Sequence, residues 1–366
     1  MPPKNRFAVL IAARNEQAVI ARTVKALKSL NYPSDMFDIF VIPNNCTDNT
    51  ELRALEAGAK IIRCGGEVKN KGDALHWAVK NLSGKGYDAI CVFDADNIAD
   101  PDFLCRMNDV FCAGAKAAKG KCLCVNPYDS WISGCYAIYF GLFNIFYNNA
   151  RSALDLSAKL NGTGFAVSTE LLDQLGGWNT QTIAEDAEFS SLCAIGGHRV
   201  WWVPQAIAYD EQPLTLKQSV IQRIRWCGGI MQVSFSKFPQ LIGKCKKNPL
   251  AFDFVMFLMT PFVQAASVIP TAYSLVSAIF SYQTDVISFD SIILGLLAGY
   301  AGSVCLALLI SYLSGLRDKR ILKAVFTYGI FMFSWIPISL YCLLRRSGVW
   351  HEMPHGLAKV YSREAA

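Results

Sequence analysis

Two acidic residues one position apart, Asp94 and Asp96, follow an apolar segment, residues 87–93, in the stretch VFDADN. Residues two positions apart in an extended chain point to the same side, so the two carboxylates would repel each other. Burying them without a partner would be costly. A divalent cation would relieve the repulsion, since Mg²⁺ and Mn²⁺ prefer oxygen ligands. Water, a basic side chain or a solvated turn would explain the pair as well.

A second acidic group lies at residues 183–188, in the stretch IAEDAE. A carboxylate here, on Glu185, Asp186 or Glu188, could act as a general base if it reaches the hydroxyl group of an acceptor. Acidic residues are also favoured at the N-terminus of a helix by its dipole, without any catalytic role. Both interpretations stay open at this point.

Basic and polar side chains recur in the stretch TLKQSVIQRIRW, residues 215–226. On a helix, Gln222, Arg225 and Trp226 share one face. Arg223 and Arg225 are suited to bind the oxygens of a diphosphate. Contact with lipid headgroups is the alternative, because long apolar segments follow soon after.

The elements that must position these residues alternate between strand and helix. Apolar patterns predict strands at 7–13, 37–43, 60–64 and 87–93 and helices at 17–30, 49–59 and 71–82. This alternation predicts an α/β fold with a mostly parallel, doubly wound sheet. Ligands bind such sheets at the carboxyl ends of the strands. The polar turns at 14–16, 44–48 and 94–96 should therefore converge on one cleft.

The composition argues against nucleic-acid binding, a disulfide framework and a zinc site. The chain has 366 residues, 52% of them hydrophobic, and a formal net charge of +6. No long basic run indicates nucleic-acid binding. The 13 cysteines form no CxxC pair, which predicts reduced thiols rather than a disulfide framework or a zinc site. The N-terminal apolar run, residues 7–13, is too short for a signal peptide, so we expect the large domain to stay in the cytoplasm.

Three long apolar segments follow residue 250, at about 251–282, 287–313 and 321–344, and each exceeds the roughly 20 residues that cross a bilayer. The basic loop 314–323 is expected to be cytoplasmic and the loop 283–290 to be outside. Pro337 interrupts the third segment, which either spans the membrane or bends there and returns. The aromatic stretch 131–147 is interpreted either as an interfacial helix or as a core helix.

The sequence resembles the family-2 inverting glycosyltransferases with the GT-A fold, and among them the membrane-embedded, polysaccharide-synthase-like branch. Seven matching motifs occur in the order typical of that family, AARNE (12–16), NNCTDNT (44–50), NKGDAL (70–75), DAD (94–96), NGTGF (161–165), AED (184–186) and QRIRW (222–226). The resemblance covers about residues 7–230. It implies a GT-A doubly wound mixed sheet in the cytoplasm, followed by C-terminal transmembrane or interfacial helices.

The resemblance also implies a role for each matching position. Residues for binding a nucleotide sugar, foremost a UDP-sugar, are Ala13, Arg14, Glu16, Asn44, Asp48, Lys71, Asp94, Ala95 and Asp96, and Asp94 and Asp96 would also bind Mg²⁺ or Mn²⁺. Asp186 matches the catalytic base, beside Glu185. Residues on the side of the acceptor and the diphosphate are Gly162, Thr163, Gly164, Gln222, Arg223, Arg225 and Trp226. Many members have Asp where this chain has Asn44, which bears on the identity of the base.

From these observations we expect a cytoplasmic catalytic domain at 1–235, an interfacial connector at 236–250, membrane helices within 251–346 and a tail at 347–366. The expected activity is sugar transfer to a growing polysaccharide or glycan at the cytoplasmic membrane, by a multi-pass protein that contacts the lipid bilayer. The alternative is transfer of a single sugar to a lipid-linked or glycolipid acceptor. A third alternative is a non-catalytic membrane scaffold that binds nucleotides.

Overall fold

The first third of the chain alternates strands and helices. The computed structural model describes residues 1–270, 272–273, 276 and 289–345. The expected tail 347–366, most of the expected outer loop 283–290, and residues 277–282 of the first expected membrane segment lie outside this part. The first elements are β1 (Phe7–Ala13), α1 (Ile20–Lys28), β2 (Phe37–Pro43), α2 (Thr50–Glu56), β3 (Lys60–Ile61), α3 (Lys71–Leu82), β4 (Ala89–Asp94), β5 (Ile98–Ala99), α4 (Phe103–Cys112) and β6 (Ala117–Cys124).

The rest of the described chain is mainly helical. Its elements are α5 (Trp131–Leu142) with a π-helical continuation (Phe143–Asn149), α6 (Ala150–Ala153), β7 (Phe165–Ser168), α7 (Thr169–Gln174), α8 (Glu185–Gly196), β8 (Val200–Asp210), α9 (Leu216–Cys245), α10 (Pro249–Leu258), α11 (Thr260–Ala266), α12 (Phe289–Leu313), a 3-10 turn (Lys319–Ile321), α13 (Leu322–Phe333) and α14 (Trp335–Arg345). The expected domain boundary at 235 falls inside α9.

One mixed sheet of eight strands, in the order β3-β2-β1-β4-β7-β6-β8-β5, holds the first part together. Strands β3, β2, β1 and β4 run parallel to one another, and β6 is parallel to β8. Strand β7 runs antiparallel to both β4 and β6, and β5 is antiparallel to β8. The sheet is therefore doubly wound near β1 and mixed beyond β4.

Both faces of the sheet are covered, which explains why its inner strands are continuously apolar. On one face, Phe7, Val9 and Ile11 pack with helices α1 and α4, and on the other, Ala8 and Leu10 pack with α3 and α8. The edge strand β3 pairs over two residues only, which is shorter than the expected 60–64. Helix α1 starts at Ile20 rather than at 17, because the preceding residues form a turn in which Asn15 has a φ of 56°.

Helix α5 joins the sheet to the C-terminal helices. Ile132, Cys135 and Tyr136 are fully buried against α12 and α13. A Cβ atom on Gly134 would lie 2.6 Å from the Cβ of Ala324, so the two helices approach closely at this glycine. The first part of the aromatic stretch 131–147 thus provides a buried helix between the sheet and α13, whereas Phe146, in the π-helical continuation, is exposed.

Among the residues that the structure describes, three helical segments are long and apolar enough to cross a membrane, by length and composition, at Pro249–Pro270, Ile293–Leu313 and Lys319–Arg345. The third is interrupted at Ser334, three residues before the expected position, Pro337. Pro337 lies in the first turn of α14, where a helix has no internal acceptor for the missing amide hydrogen. The proline is therefore accommodated in the helix, and the interruption precedes it.

Candidate functional site

The polar turns after β1, β2 and β4 converge at the carboxyl ends of these strands, as the sheet topology requires. They line one cavity of about 1080 Å³. The expected site residues that line this cavity are Ala13, Arg14, Glu16, Asn44, Asp48, Lys71, Asp94, Ala95, Asp96, Gly162, Thr163, Glu185, Asp186, Gln222, Arg225 and Trp226. Gly164 and Arg223 are not part of its lining.

Side-chain hydrogen bonds connect the polar turn after β1 to the polar turn after β2. Asn15 Oδ1 accepts a hydrogen bond from the backbone of Thr47 at 2.9 Å. Asp48 Oδ2 accepts one from the backbone of Gln17 at 3.1 Å, and its Oδ1 accepts two from Thr50. Burial works against the charged form of Asp48, but these hydrogen bonds prevail and lower its pKa. Asp48 therefore shapes the loops as well as lining the cavity.

Lys71, the first residue of α3, connects three parts of the site. Its Nζ lies 2.5 Å from Asp94 Oδ1, donates to the carbonyl of Gly162 at 2.5 Å, and lies 3.6 Å from Glu185 Oε1. Burial lowers the pKa of Lys71, but the charges of Asp94 and Glu185 outweigh burial and raise it overall. The ammonium group is therefore held protonated between β4, the loop at Gly162 and α8.

A third carboxylate, Asp210, lies near Asp94 and Asp96, and the side chain of Asn97 bridges Asp210 and Asp96. Burial, followed by repulsion from Asp94, raises the pKa of Asp96 to about 7. Burial and repulsion from Asp96 raise the pKa of Asp210 to about 8. Asn97 donates to Asp210 Oδ1 at 2.9 Å and to Asp96 Oδ1 at 3.3 Å. The sequence analysis missed Asp210, although it follows an apolar strand as Asp94 does.

These carboxylates fit a hard divalent cation in part. Oxygen ligands and closely spaced negative charges both suit Mg²⁺ or Mn²⁺. In the described part of the chain, however, no three His, Cys, Asp or Glu side chains are arranged to hold a metal ion together. Asp94 and Asp96 therefore provide only part of the oxygen ligands that such a cation needs.

Asp186 and Glu185 begin helix α8 and face the cavity. Asp186 Oδ2 accepts a hydrogen bond from the backbone of Gly162 at 2.5 Å, and its Oδ1 accepts one from Ala187 at 2.7 Å. These contacts fix the carboxylate in place. Burial raises the pKa of Glu185 to about 7, while Lys71 lowers it and Asp186 raises it. The two neighbouring acids thus differ in their partners, and Asp186 is next to the loop at Gly162.

Buried polar residues hold the loop at Gly162 in place, and two of them, Lys119 and Asn97, were missed by the sequence analysis. Gly162 has a φ of 61°, a conformation that favours glycine. Lys119, fully buried, donates from its Nζ to the carbonyl of Thr163 at 2.8 Å. Thr163 also donates to Asn97 Oδ1, which accepts from the backbone of Asp94. Gly164 belongs to this support, since its backbone donates to Val92.

Helix α9 presents Gln222, Arg225 and Trp226 to the cavity, as expected from their shared face. Arg223 differs from the expectation, because it lies on another face of the helix and is fully buried. Its Nη1 donates to the carbonyl of Phe331 at 3.1 Å and to Ser334 Oγ at 2.7 Å. Arg223 therefore caps the end of α13 at the interruption before α14 and does not line the cavity.

The cavity extends from the polar turns into an apolar half. We use this term for the part lined by Tyr139, Phe143, Tyr147, Lys159, Ile230, Phe257, Met332 and Trp335. Phe257, Met332 and Trp335 belong to candidate membrane segments. The sequence analysis noted the aromatic stretch 131–147 but gave it no part in the site, since its contacts are formed only in the folded chain.

A family model described as "Glycosyltransferase like family 2" matches residues 2–229. Over 351 residues the chain is 29% identical to "Probable glycosyltransferase YdaM" of Bacillus subtilis (strain 168), covering 92% of this chain and 82% of that protein. It is 28% identical over 276 residues to "Beta-monoglucosyldiacylglycerol synthase" of Nostoc sp. (strain PCC 7120 / SAG 25.82 / UTEX 2576), covering 72% of this chain and 57% of that protein.

Among solved structures, the fold is similar to that of the mannosyltransferase PcManGT from Pyrobaculum calidifontis in complex with GDP-Man and Mn²⁺. The TM-score is 0.65 at 18% sequence identity, with 93% of this chain and 88% of that chain covered. This similarity and the mixed eight-stranded sheet confirm the GT-A fold expected from the resemblance.

Proposed function

Because the chain belongs to the glycosyltransferase-like family 2, we propose that it transfers a single sugar from a nucleotide-diphosphate sugar to a lipid acceptor in the membrane. The observation that carries this proposal is the continuous cavity, in which the polar turns and Asp186 meet the apolar half. A cavity that binds a lipid acceptor needs a polar end for the reacting hydroxyl group and an apolar end for the acyl chains.

The nucleotide is proposed to bind at the turns after β1 and β2, with Ala13, Arg14, Glu16 and Asn44 around the base and ribose. Asn44 Oδ1 is buried and has no hydrogen-bond partner among the residues that the structure describes. It is therefore ready to accept the ring N–H of a base such as uracil. This feature supports a UDP-sugar as the first donor to test.

The diphosphate is proposed to lie between Lys71 and Arg225, with Ala95 at its side. Asp94 and Asp96 would hold Mg²⁺ or Mn²⁺, which would supply positive charge to the departing nucleoside diphosphate. Arg225 can donate to phosphate oxygens in a bidentate manner, and Lys71 adds a second positive charge. Both cations act where negative charge develops in the transition state.

Asp186 is proposed to act as the general base. It takes the proton from the acceptor hydroxyl, whose oxygen then forms a bond to the anomeric carbon of the sugar. The bond between that carbon and the diphosphate oxygen breaks, and its electron pair leaves with the nucleoside diphosphate. A single displacement of this kind inverts the anomeric configuration. The two backbone donors on Asp186 hold its carboxylate in place for this step.

We further propose that the protein is multi-pass and that the sheet lies on the cytoplasmic side, where nucleotide sugars are found. The basic loop around Arg317, Lys319 and Arg320 supports this orientation. In this orientation, the residues of the apolar half that belong to the candidate spans Pro249–Pro270 and Lys319–Arg345 would lie at the level of the bilayer surface.

The test is transfer from a panel of radiolabelled nucleotide sugars to membrane lipids by the purified full chain in detergent, with Mg²⁺ or Mn²⁺. We expect one donor to yield a singly glycosylated lipid. Asp186→Asn should lower kcat by about 10²- to 10⁴-fold, the usual contribution of a general base. Asp173→Asn, at an exposed site on α7, should leave kcat unchanged. Full activity of Asp186→Asn would remove Asp186 from the role of base, and inactivity across the panel would favour the scaffold.

A second candidate function is extension of a polysaccharide. The aromatic side chains of Tyr139, Trp226 and Trp335 around the cavity favour it, because aromatic rings are suitable surfaces for sugar rings as well as for acyl chains. The length of the radiolabelled product separates the two functions. A ladder of products would support polymer synthesis, whereas one added sugar supports the lipid acceptor.

A further inference from the structure

One buried cation in the cavity has no part in the proposed reaction. Lys159 lies in the apolar half and is only 9% exposed. Its Nζ lies 3.5 Å from the ring centroid of Phe257 and 6.0 Å from that of Phe143. In the described ranges of the chain, no carboxylate or other oxygen lies within hydrogen-bonding distance of this ammonium group. The side chain is largely buried, and its ammonium group opens to the cavity, where a ligand can supply an acceptor.

The position of Lys159 relates it to the reacting groups. It lies three residues before Gly162, whose backbone donates to Asp186, and Asp186 is the charged group that stabilises the ammonium of Lys159 electrostatically. Phe257, on the other side, belongs to a candidate membrane segment. The ammonium group therefore lies between the proposed base and the rings of the apolar half, where the head of a lipid acceptor would be.

We propose that Lys159 forms an anion-binding subsite, so that the acceptor is a membrane lipid with a phosphate or another anionic group close to the hydroxyl that attacks. This inference rests on the proposed function and narrows its acceptor class. The anionic group pairs with Lys159 Nζ, the hydroxyl faces Asp186, and the acyl chains follow Phe143 and Phe257. A neutral lipid would leave the cation without an acceptor.

The experiment compares three acceptors in mixed micelles of a zwitterionic detergent. Dioleoylphosphatidylglycerol has a hydroxyl, a phosphate and acyl chains. Dioleoylglycerol lacks the phosphate, and glycerol 1-phosphate lacks the chains. We expect the wild-type chain to have the highest kcat/KM with phosphatidylglycerol. Equal or better use of dioleoylglycerol would overturn the proposal, and preferred use of glycerol 1-phosphate would overturn the assignment to a lipid.

Lys159→Gln removes the charge and keeps a polar side chain of similar length. We expect its kcat/KM to fall by about 10- to 100-fold with phosphatidylglycerol, as for the loss of one charged hydrogen bond, and by less than about threefold with dioleoylglycerol. Hydrolysis of the donor by water should not change. An equal loss with both lipids, or a loss of donor hydrolysis, would show that Lys159 acts through Asp186 and would overturn the proposal.

Two further variants separate the cation of Lys159 from surface charge and from packing. Lys246→Gln removes an exposed positive charge near the candidate membrane segment at Pro249, and it should leave the preference for phosphatidylglycerol intact. If Lys246→Gln loses the preference as Lys159→Gln does, the preference arises from general attraction to an anionic surface and the subsite is overturned. Lys159→Arg keeps the charge and should retain the preference, which distinguishes loss of the cation from disturbed packing.

A binding measurement keeps this inference separate from the proposed reaction. Native mass spectrometry of the full chain with dioleoylphosphatidic acid, which has a phosphate but no acceptor hydroxyl, requires no turnover. Retention of this lipid by the wild type and its loss in Lys159→Gln would support the subsite even if no donor is ever used. Equal retention by both would overturn it. Failure of the proposed function would appear instead as wild-type inactivity with every donor and acceptor.

Discussion

At the scale of single residues, the site is defined by how its buried charges are compensated. Lys71 pairs with Asp94 and lies near Glu185, so charges of opposite sign meet there. Asp96 and Asp210 instead accept from the neutral amide of Asn97 and repel each other. Lys159 has aromatic rings as its neighbours. The ion pair at Lys71 is already stabilised in the folded chain, whereas the carboxylates at Asp96 and Asp210 and the ammonium of Lys159 gain most from a ligand.

The variant Lys71→Met tests, without any measurement of activity, whether the ion pair at Lys71 stabilises the folded chain. Removing the ammonium group leaves Asp94 and Glu185 without their cation, so we expect a lower thermal midpoint. Mn²⁺ should raise the midpoint of the variant more than that of the wild type, because the cation replaces the lost charge beside Asp94. Differential scanning fluorimetry with and without MnCl₂ checks this result. Lys80→Met, on the same helix, should respond as the wild type does, and an equal response of all three proteins would contradict the expectation.

Lys159 should make stability depend on pH in a defined direction. Burial lowers its pKa from 10.5 to about 8, and Asp186 offsets part of this effect. The unfolded chain therefore binds this proton more tightly than the folded chain, so the free energy of unfolding rises with pH between about 8 and 10.5. Lys159→Met lacks this rise. The free energy of unfolding of Lys159→Met minus that of the wild type should be greatest below pH 8. Above pH 10.5 this difference should be lower by up to about 3 kcal/mol.

Thermal unfolding of both proteins at pH 7 and pH 10.5 measures that difference. Lys246→Met, at an exposed position, serves as the control, and its difference from the wild type should be the same at both pH values. A constant difference for Lys159→Met would mean that Lys159 does not bear an unfavourable charge in the folded chain.

At the scale of elements, close packing between α5 and α13 connects the sheet to the C-terminal helices. Gly134→Ala would place a methyl group 2.6 Å from the Cβ of Ala324 and 3.2 Å from the carbonyl of Pro127. We expect this overpacking to destabilise the protein by about 1–3 kcal/mol. Gly299→Ala, on α12, meets nothing within 4 Å and should be neutral or stabilising. Equal thermal midpoints for the two variants would show that α5 can move away from α13.

The elements also show what a sequence can predict. Strand β1, helix α3 and the polar turns follow from local apolar periodicity, and the structure places them where the pattern predicts. The short β3 could not be predicted, because its length depends on how far this edge strand stays paired with β2, and that pairing ends after Ile61. The sequence analysis gave Arg223 and Arg225 the same diphosphate-binding role, since the two residues look alike until α13 packs against one face of α9 and buries Arg223.

The same reasoning applies to the candidate site. Asp94, Asp186 and Arg225 lie in motifs, so their convergence could be anticipated from the resemblance. Asp210 and Lys159 lie outside those motifs, and their importance depends on burial and on neighbours that are distant in sequence. The apolar half could not be foreseen, because it needs residues from α5, α10, α13 and α14 at once.

At the scale of the whole molecule, the orientation in the membrane makes a prediction. The loop around Gly315 carries Arg317, Lys319 and Arg320, and the proposed topology places it in the cytoplasm. An epitope inserted after Gly315 should be reached by antibody in inside-out vesicles and should be protected in intact cells. An epitope added before Met1 should behave in the same way, since both lie on the side of the sheet. Opposite accessibility of the two would contradict the topology.

Helix α9 runs without a loop for 30 residues, from Leu216 to Cys245, and so extends about 45 Å. Trp226 lies ten residues into this helix, and Lys244 lies at its other end, five residues before α10 begins at Pro249. Pro239 lies inside the helix between these two residues, and a proline removes one backbone hydrogen bond, so α9 is weakest between its tryptophan and its lysine end. In the proposed membrane orientation, a change in bilayer thickness at the lysine end would bend α9 at Pro239 before it moves the tryptophan.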